Sequence, residues 1–287
     1  MIDPSRAYNQ HFDPIAGPGP NQQIVAYPNP TDAGTAFPSP SQDALVDPIG
    51  MAVSPNFKDG NGATTDLFVL DGRAGGTGEI LDFTLPRAGS TSTTLGGPYA
   101  VTGPGILNSP VDMAYDPNTG SLDVVEAAGG GTVVSVSLSG SSGSVNGSVS
   151  SVRGSAGPIT NLGSGVAGIA VNPASGSALG TIYVDTAETP TAPAQVWQLQ
   201  PGPDGQGGFT YTSSTLSLPG QVLSNAKGMY CDGSNLYIAT SPSPYLTPSE
   251  AQALSTATAA QPRDSSTFPT GIVKYTLGTT QLDTATT

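Results

Sequence analysis

A repeated unit dominates this chain of 287 residues: three short apolar runs occur four times in the same order, each bounded by turn-forming residues. One position in the first run marks each copy, and consecutive copies are 62, 56 and 60 residues apart: Gly50, Asp112, Gly168 and Gly228. Short apolar runs between Gly, Pro, Asn and Asp residues are typical of β-strands. A unit repeated at such a period buries its apolar faces against its neighbours. The repeat therefore predicts an all-β protein built from stacked units.

The copies align over three predicted strands each. These are 47–55, 66–71 and 79–85; 109–117, 121–126 and 132–138; 165–173, 181–185 and 194–199; and 225–232, 235–240 and 271–277. A fourth strand fits between copies, at 99–102, 144–152 and 209–218. Four strands per unit is the composition of one propeller blade. We therefore predict a β-propeller of four four-stranded blades.

The repeat resembles the NHL family of β-propellers. The family motif runs roughly Pro-x-Gly-Ile-Ala-Val-Asp and then Leu-Tyr-Val-x-Asp. Here it is matched by Pro48-Ile49-Gly50-Met51-Ala52-Val53, by Gly168-Ile169-Ala170-Val171-Asn172 with Ile182-Tyr183-Val184, and by Gly228-Met229 with Leu236-Tyr237-Ile238. Asp112 departs from the motif glycine, and a spacing of about 60 residues exceeds the ~40–45 typical of propeller repeats. The resemblance implies the propeller architecture and leaves the blade number and the ligand open.

The segment 22–46 precedes copy one much as 86–108 precedes copy two. Its strand-like stretch 23–27 is predicted to be the outer strand of the last blade, beside 271–277. Such closure of the ring would hide a strand edge. The alternative is a fifth, degenerate blade built from residues 1–46. With four blades, 22–287 forms one propeller domain, and the Pro-rich residues 1–21 form an extended arm.

An insertion at 241–270 separates two strands of the fourth copy. Thr247 and Glu250 have the spacing of a capping box, with Pro248 at the first helical position, so a short helix is predicted over about 248–258. Long loops on a rigid scaffold commonly carry binding residues.

Charge limits the classes of partner. The chain has 21 acidic residues against 8 Lys and Arg, a net charge of −13. Nucleic acids and anionic membrane surfaces both require basic residues, so neither is an expected partner. No stretch approaches the ~20 apolar residues of a membrane span, and no signal peptide follows Met1. The Ser-, Thr- and Gly-rich composition favours an extracellular, cell-surface or virion location, reached after removal of a leader or after release by lysis.

Histidine and cysteine are nearly absent from the sequence. His11 and Cys231 are the single residues of their types, and His11 lies in the Pro-rich arm. Catalytic triads, Cys-His pairs and multi-His zinc sites are therefore improbable. Cys231 lies in an apolar run and is expected to be a buried structural thiol. We expect the protein not to be an enzyme.

One candidate site comes from the repeat. The second run of each copy ends at positions expected to meet near the propeller axis: Asp71, Glu126, Asp185 and Thr240. The three carboxylates together could bind a hard cation such as Ca²⁺. The alternative is that each side chain caps a local turn.

Two classes of function follow. The first is a non-enzymatic scaffold or binding module that presents loops to a protein or glycan partner, including a structural or decoration subunit of a virion or surface assembly. The alternative is a Ca²⁺-dependent propeller hydrolase, lactonase or lyase, with Asp71, Glu126 and Asp185 as ligands and a bound water as nucleophile.

Overall fold

The computed structural model describes residues 45, 47–54, 66–72, 76–85, 96–141, 144–163, 165–173, 179–187, 194–205, 209–216, 226–240, 271–278 and 282–284. Nearly all of these residues lie in antiparallel strands and the turns between them. The single helical element among them is a 3₁₀ turn at Ala128–Gly130.

The first two sheets are consecutive in the chain. Blade one contains β1 (Pro48–Ser54), β2 (Asp66–Asp71), β3 (Thr77–Thr84) and β4 (Gly96–Ala100), and β5 (Leu107–Asn108) pairs with the start of β3. Blade two contains β6 (Pro110–Asp116), β7 (Ser121–Glu126), β8 (Thr132–Ser141) and β9 (Ser144–Ser151).

The other two sheets repeat this order. Two short strands, β10 (Arg153–Gly154) and β11 (Gly157–Pro158), extend the outer edge of blade three, whose main strands are β12 (Val166–Asn172), β13 (Thr181–Thr186), β14 (Gln195–Pro203) and β15 (Phe209–Thr215). Blade four contains β16 (Ala226–Cys231), β17 (Asn235–Thr240), β18 (Gly271–Thr276) and β19 (Leu282–Thr284).

The predicted architecture is confirmed: each copy forms one sheet, and the four sheets are arranged as a β-propeller. The fourth strands expected between the copies are present as β4, β9 and β15. The innermost strands contact one another in chain order, β1 against β6, β6 against β12 and β12 against β16.

The strand beside the third strand of blade four is β19 and not the expected closing strand. We expected 23–27 beside the third strand of blade four, but β19 pairs there with Val273–Tyr275. The physical reason is a turn at Leu277–Gly278, where Gly278 has a positive φ of 80°, so the chain can fold back after β18. The segments 1–21 and 23–27, the fifth-blade alternative and the insertion 241–270 with its helix lie outside the described residues.

Each inner strand has a bulge at the same place, between Pro48 and Gly50, Pro110 and Asp112, Val166 and Gly168, and Ala226 and Gly228. A bulge inserts one unpaired residue and re-aims the strand that follows it. Glycine at this position permits close approach of the blades: a Cβ on Gly168 would lie 2.6 Å from Cα of Gly228. Contact between neighbouring inner strands thus explains Gly50 and Gly168, and Gly228 supplies the Cα against which Gly168 packs.

The apolar core is divided among the junctions between blades. Buried clusters lie between blades one and two, around Phe68 and Val124; between blades two and three, around Val125 and Ile182; and between blades three and four, around Tyr183. A fourth cluster covers the other face of blade one and contains Leu45, Val69, Leu81 and Phe83.

Candidate functional site

The sequence-predicted site residues on blades one and two cap local loops. Asp71 is fully buried, and its Oδ1 accepts the backbone N–H of Asp47 at 2.6 Å. Oε1 of Glu126 accepts the backbone N–H of Asn108 at 2.6 Å, and the Thr132 hydroxyl donates to Oε2 at 3.3 Å. Burial raises the pKa of Glu126, although these hydrogen bonds act to lower it. Both carboxylates thus hold the loop that leads into their own blade.

The equivalence assumed for Asp185 is wrong by one residue. Asp71, Glu126 and Thr240 each pair with the residue before the bulge of their inner strand. In blade three the residue before the bulge is Val166, and it pairs with Thr186. Asp185 pairs instead with Gly168, after the bulge. Successive side chains of a strand point to opposite faces, so Asp185 lies on the other face of its blade.

The four predicted residues are therefore not one cluster of ligands. Asp185 and Thr240 are both buried, at 0% and 8% exposure, and Oδ1 of Asp185 lies 3.1 Å from the Cβ position of Gly168. Across the described part of the chain, no three His, Cys, Asp or Glu side chains come together as a metal-binding group. Binding of Ca²⁺ through Asp71, Glu126 and Asp185 stays a prediction that this geometry does not favour.

A cavity of about 390 Å³ lies on the propeller axis. All four inner strands line it through equivalent segments, 51–53 of β1, 112–115 of β6, 169–171 of β12 and 229–231 of β16. This volume falls within the ~300–1,000 Å³ of typical ligand pockets. The repeat thus produces one central site to which every blade contributes.

Most side chains that line the axial cavity are apolar and four of them carry sulfur, although polar and apolar atoms have similar shares of its surface. The residue that follows the repeat glycine position is methionine in three blades, Met51, Met113 and Met229, and isoleucine at Ile169 in the other. Methionine is unbranched and polarisable, so it adapts to ligands of different shape. Cys231 also lines the cavity; it is buried, which confirms the sequence prediction, and burial raises the pKa of its thiol.

Among the described residues of this lining, Asp112 is the one carboxylate. Its Oδ1 accepts the N–H of Met113 at 2.8 Å, and its Oδ2 accepts the N–H of Ile169 at 3.2 Å, so it connects blades two and three. Burial raises the pKa of Asp112 to about 6, against the lowering effect of both N–H groups. A Cβ on Gly50 would lie 2.9 Å from Oδ1. In the sequence, Asp112 is distinguished by its position, since the other three copies have glycine there.

One side of the axial cavity exposes large apolar side chains. Met51 is 69% exposed, Val53 49% and Tyr230 65%. Ala52 packs toward blade two, so Met51 and Val53 lie on the opposite face of blade one. Met229 and Cys231 pack toward blade three, so Tyr230 lies on the opposite face of blade four. The exposed residues therefore belong to the junction between blades four and one.

A separate polar cluster lies between blades two and three. Oδ1 of Asp116 accepts both the backbone and side-chain N–H groups of Asn118 at 2.8 Å, and Oδ2 accepts the N–H of Gly180 at 3.2 Å. The Tyr211 hydroxyl donates to the Gly180 carbonyl at 3.3 Å. Burial, helped by the charge of Asp116, raises the pKa of Asp123 to about 7. This cluster connects two blades and is not part of the cavity lining.

Comparison with protein-family models and with curated proteins finds no match to this chain. Within the residues that the structure describes, no helix has the length and apolar character needed to cross a membrane.

Proposed function

We propose that this protein is a non-enzymatic β-propeller binding module that takes an apolar group of a protein partner into its axial cavity. The observation that carries this proposal is the junction between blades four and one, where Met51, Val53 and Tyr230 are exposed beside the cavity. Covering these side chains would gain roughly 25 cal/mol for each Å² of apolar surface removed from water.

The chemistry of the lining favours an apolar partner group over a glycan. A glycan needs convergent hydrogen-bonding side chains, whereas this wall is supplied mainly by Met, Val, Ile and Ala residues. Both oxygens of Asp112 already accept backbone N–H groups. Tyr230 stacks on Tyr237, with ring centroids 6.1 Å apart, which gives the junction a firm aromatic surface.

The carboxylates support a binding role over a catalytic one. Asp71, Glu126 and Asp116 hold backbone N–H groups within or between blades. The described part of the cavity wall has Asp112 without a second carboxylate. It also has Cys231, whose raised thiol pKa keeps the thiol in its weakly nucleophilic protonated form. A location outside the cytoplasm, on a cell surface or in a virion, is part of the same proposal and rests on the low-charge, acidic composition.

Titration with Nile red, a neutral apolar dye, tests the site. We expect saturable fluorescence enhancement that Tyr230→Asp weakens by roughly tenfold, the effect of losing about 1.4 kcal/mol. The matched control is Ile106→Asp, because Ile106 is 54% exposed but does not line the cavity. Equal dye affinity in the two variants, both folded by circular dichroism, would rule out this site. Ester or lactone hydrolysis that depends on added Ca²⁺ would contradict the non-enzymatic assignment.

A further inference from the structure

Asp112 brings a carboxylate to the wall of the axial cavity at a point where three blades meet. Its Oδ1 lies 2.9 Å from the Cβ position of Gly50 in blade one, and its Oδ2 accepts the N–H of Ile169 in blade three. Asp112 is half-buried, whereas Asp116 and Asp123 of the same blade are buried. Among the carboxylates of blade two, this one therefore keeps access to the cavity.

The negative charge of Asp112 is not balanced by the groups that bind it. The N–H groups of Met113 and Ile169 are neutral donors, and each carboxylate oxygen that accepts one of them can accept a further donor. Among the described side chains, the basic ones are Arg153 and Lys274, and neither lines the cavity. A partly desolvated carboxylate is most stable beside a positive charge, so a cation is the ligand that this position favours.

The rest of the cavity wall suits the apolar stem of such a cation. Its three methionines are unbranched and adapt to a flexible chain. Tyr115 and Tyr230 also line it, and an aromatic face attracts an ammonium group within ~6 Å of the ring centroid. The repeat position of Asp112 is occupied in blade four by Gly228, where a Cβ would meet no described atom within 4 Å. Space is thus open beside this strand at the level of the carboxylate.

We infer that the group taken into the axial cavity is a lysine side chain of the protein partner, whose ammonium binds the carboxylate of Asp112. Lysine joins a flexible apolar stem to a compact charge that donates hydrogen bonds, so it uses both the methionines and the carboxylate. The net charge of −13 attracts basic partners over a longer range. This inference rests on the proposed function and names the group that enters the cavity.

Two probes of equal length and opposite charge test the wild-type protein. Hexylammonium and hexanoate compete with Nile red at about pH 7.5, where Asp112 is ionised because its pKa is about 6. Hexylammonium should displace the dye at a concentration roughly tenfold lower than hexanoate does. Equal potency of the two probes would overturn this inference and keep the proposed function. Absence of Nile red binding would refute the proposed function and this inference with it.

Asp112→Asn removes the charge and keeps the size of the side chain. It should weaken competition by hexylammonium roughly tenfold, the effect of losing about 1.4 kcal/mol, and leave competition by neutral hexan-1-ol within about twofold. The matched control is Asp116→Asn, which should leave both probes unchanged. Asp116 is buried in the same strand and also accepts an N–H of blade three, but it does not line the cavity.

Equal weakening of both probes by Asp112→Asn would show that the substitution changes the shape of the cavity, and it would overturn the inference. If circular dichroism shows that Asp112→Asn is unfolded, the comparison of hexylammonium with hexanoate in the wild-type protein decides.

Lys227 is the residue of this chain whose charge must be tested as a rival, because it precedes Gly228 in β16. Lys227→Met should leave the affinity for hexylammonium unchanged. A gain of roughly tenfold in this variant would show that the chain's own lysine occupies the site, and the inference would then be wrong.

A peptide distinguishes a lysine of a protein partner from a free amine. A capped pentapeptide with lysine at its centre should displace Nile red, and the same peptide with Nε-acetyl-lysine should do so roughly tenfold less well, because acetylation removes the charge. Displacement by hexylammonium and by neither peptide would overturn the assignment to lysine.

Discussion

At the junction between blades two and three, carboxylates accept backbone N–H groups across the two sheets, whereas at the junction between blades four and one the exposed side chains are apolar. Asp112 binds the N–H of Ile169, and Asp116 binds the N–H of Gly180. At the other junction, Met51, Val53 and Tyr230 are exposed. The first junction is fixed by directional bonds, and the second has the surface that a partner could cover. One junction of the ring is therefore held by directional bonds, and the other is the side that we propose binds a partner.

The largest expected effect is at the polar junction. Asp116→Ala should lower the free energy of unfolding by about 3 kcal/mol, because a carboxylate that is 1% exposed and accepts three N–H groups is removed. Denaturant unfolding measures the loss. The control is Asp204→Ala, which removes an exposed carboxylate and should change stability by less than about 0.5 kcal/mol. Equal losses in both variants would show that the bond between blades contributes nothing.

A smaller effect is expected from pH. The pKa of Asp123 is about 7 and that of Asp112 about 6, both above the ordinary 3.8. Between pH 4 and 7 the folded protein holds protons that the unfolded chain has released, so stability falls as pH rises through this window. Tm should therefore be higher at pH 5 than at pH 8. Asp123→Asn should flatten this dependence, and a Tm that instead rises toward pH 8 would contradict the assignment.

The smallest stability effect is expected at the apolar junction. Val53→Ala should change the free energy of unfolding by less than about 0.5 kcal/mol, because the side chain is 49% exposed. The same change should weaken Nile red binding several-fold, since Val53 lines the cavity. Ile106→Ala is the control and should alter neither quantity. A Val53→Ala variant that loses stability but keeps dye affinity would contradict this prediction, because it would show that Val53 stabilises the fold and does not bind the dye.

The repeat in the sequence was sufficient to predict the three recurring strands of each blade, because their apolar runs are short and bounded by turn residues. The site was mispredicted because the second run of copy three was ended one residue too early. Thr181–Thr186 has six residues, like Asp66–Asp71, so Thr186 and not Asp185 is the residue equivalent to Asp71. The exposed face of blade four could not be predicted either, since Tyr237 and Ile238 are both typical of a strand. They differ only in packing, because Ile238 packs against blade three and Tyr237 does not.

The last strand was also beyond prediction. Leu282–Thr284 is only three residues long, and its pairing with Val273–Tyr275 depends on the turn at Gly278 rather than on a long apolar run. Asp112, in contrast, was visible in the sequence as the one acidic residue among the motif glycines. Its role became clear only from its two N–H partners.

Diffraction from a crystal pressurised with xenon tests the difference between the two junctions most directly, since xenon enters apolar cavities and avoids polar ones. We expect a xenon peak on the axis, in contact with Met51, Val53 and Tyr230, and none beside Asp116 and Asp123. An axis filled by ordered water, with no xenon at the junction between blades four and one, would contradict it.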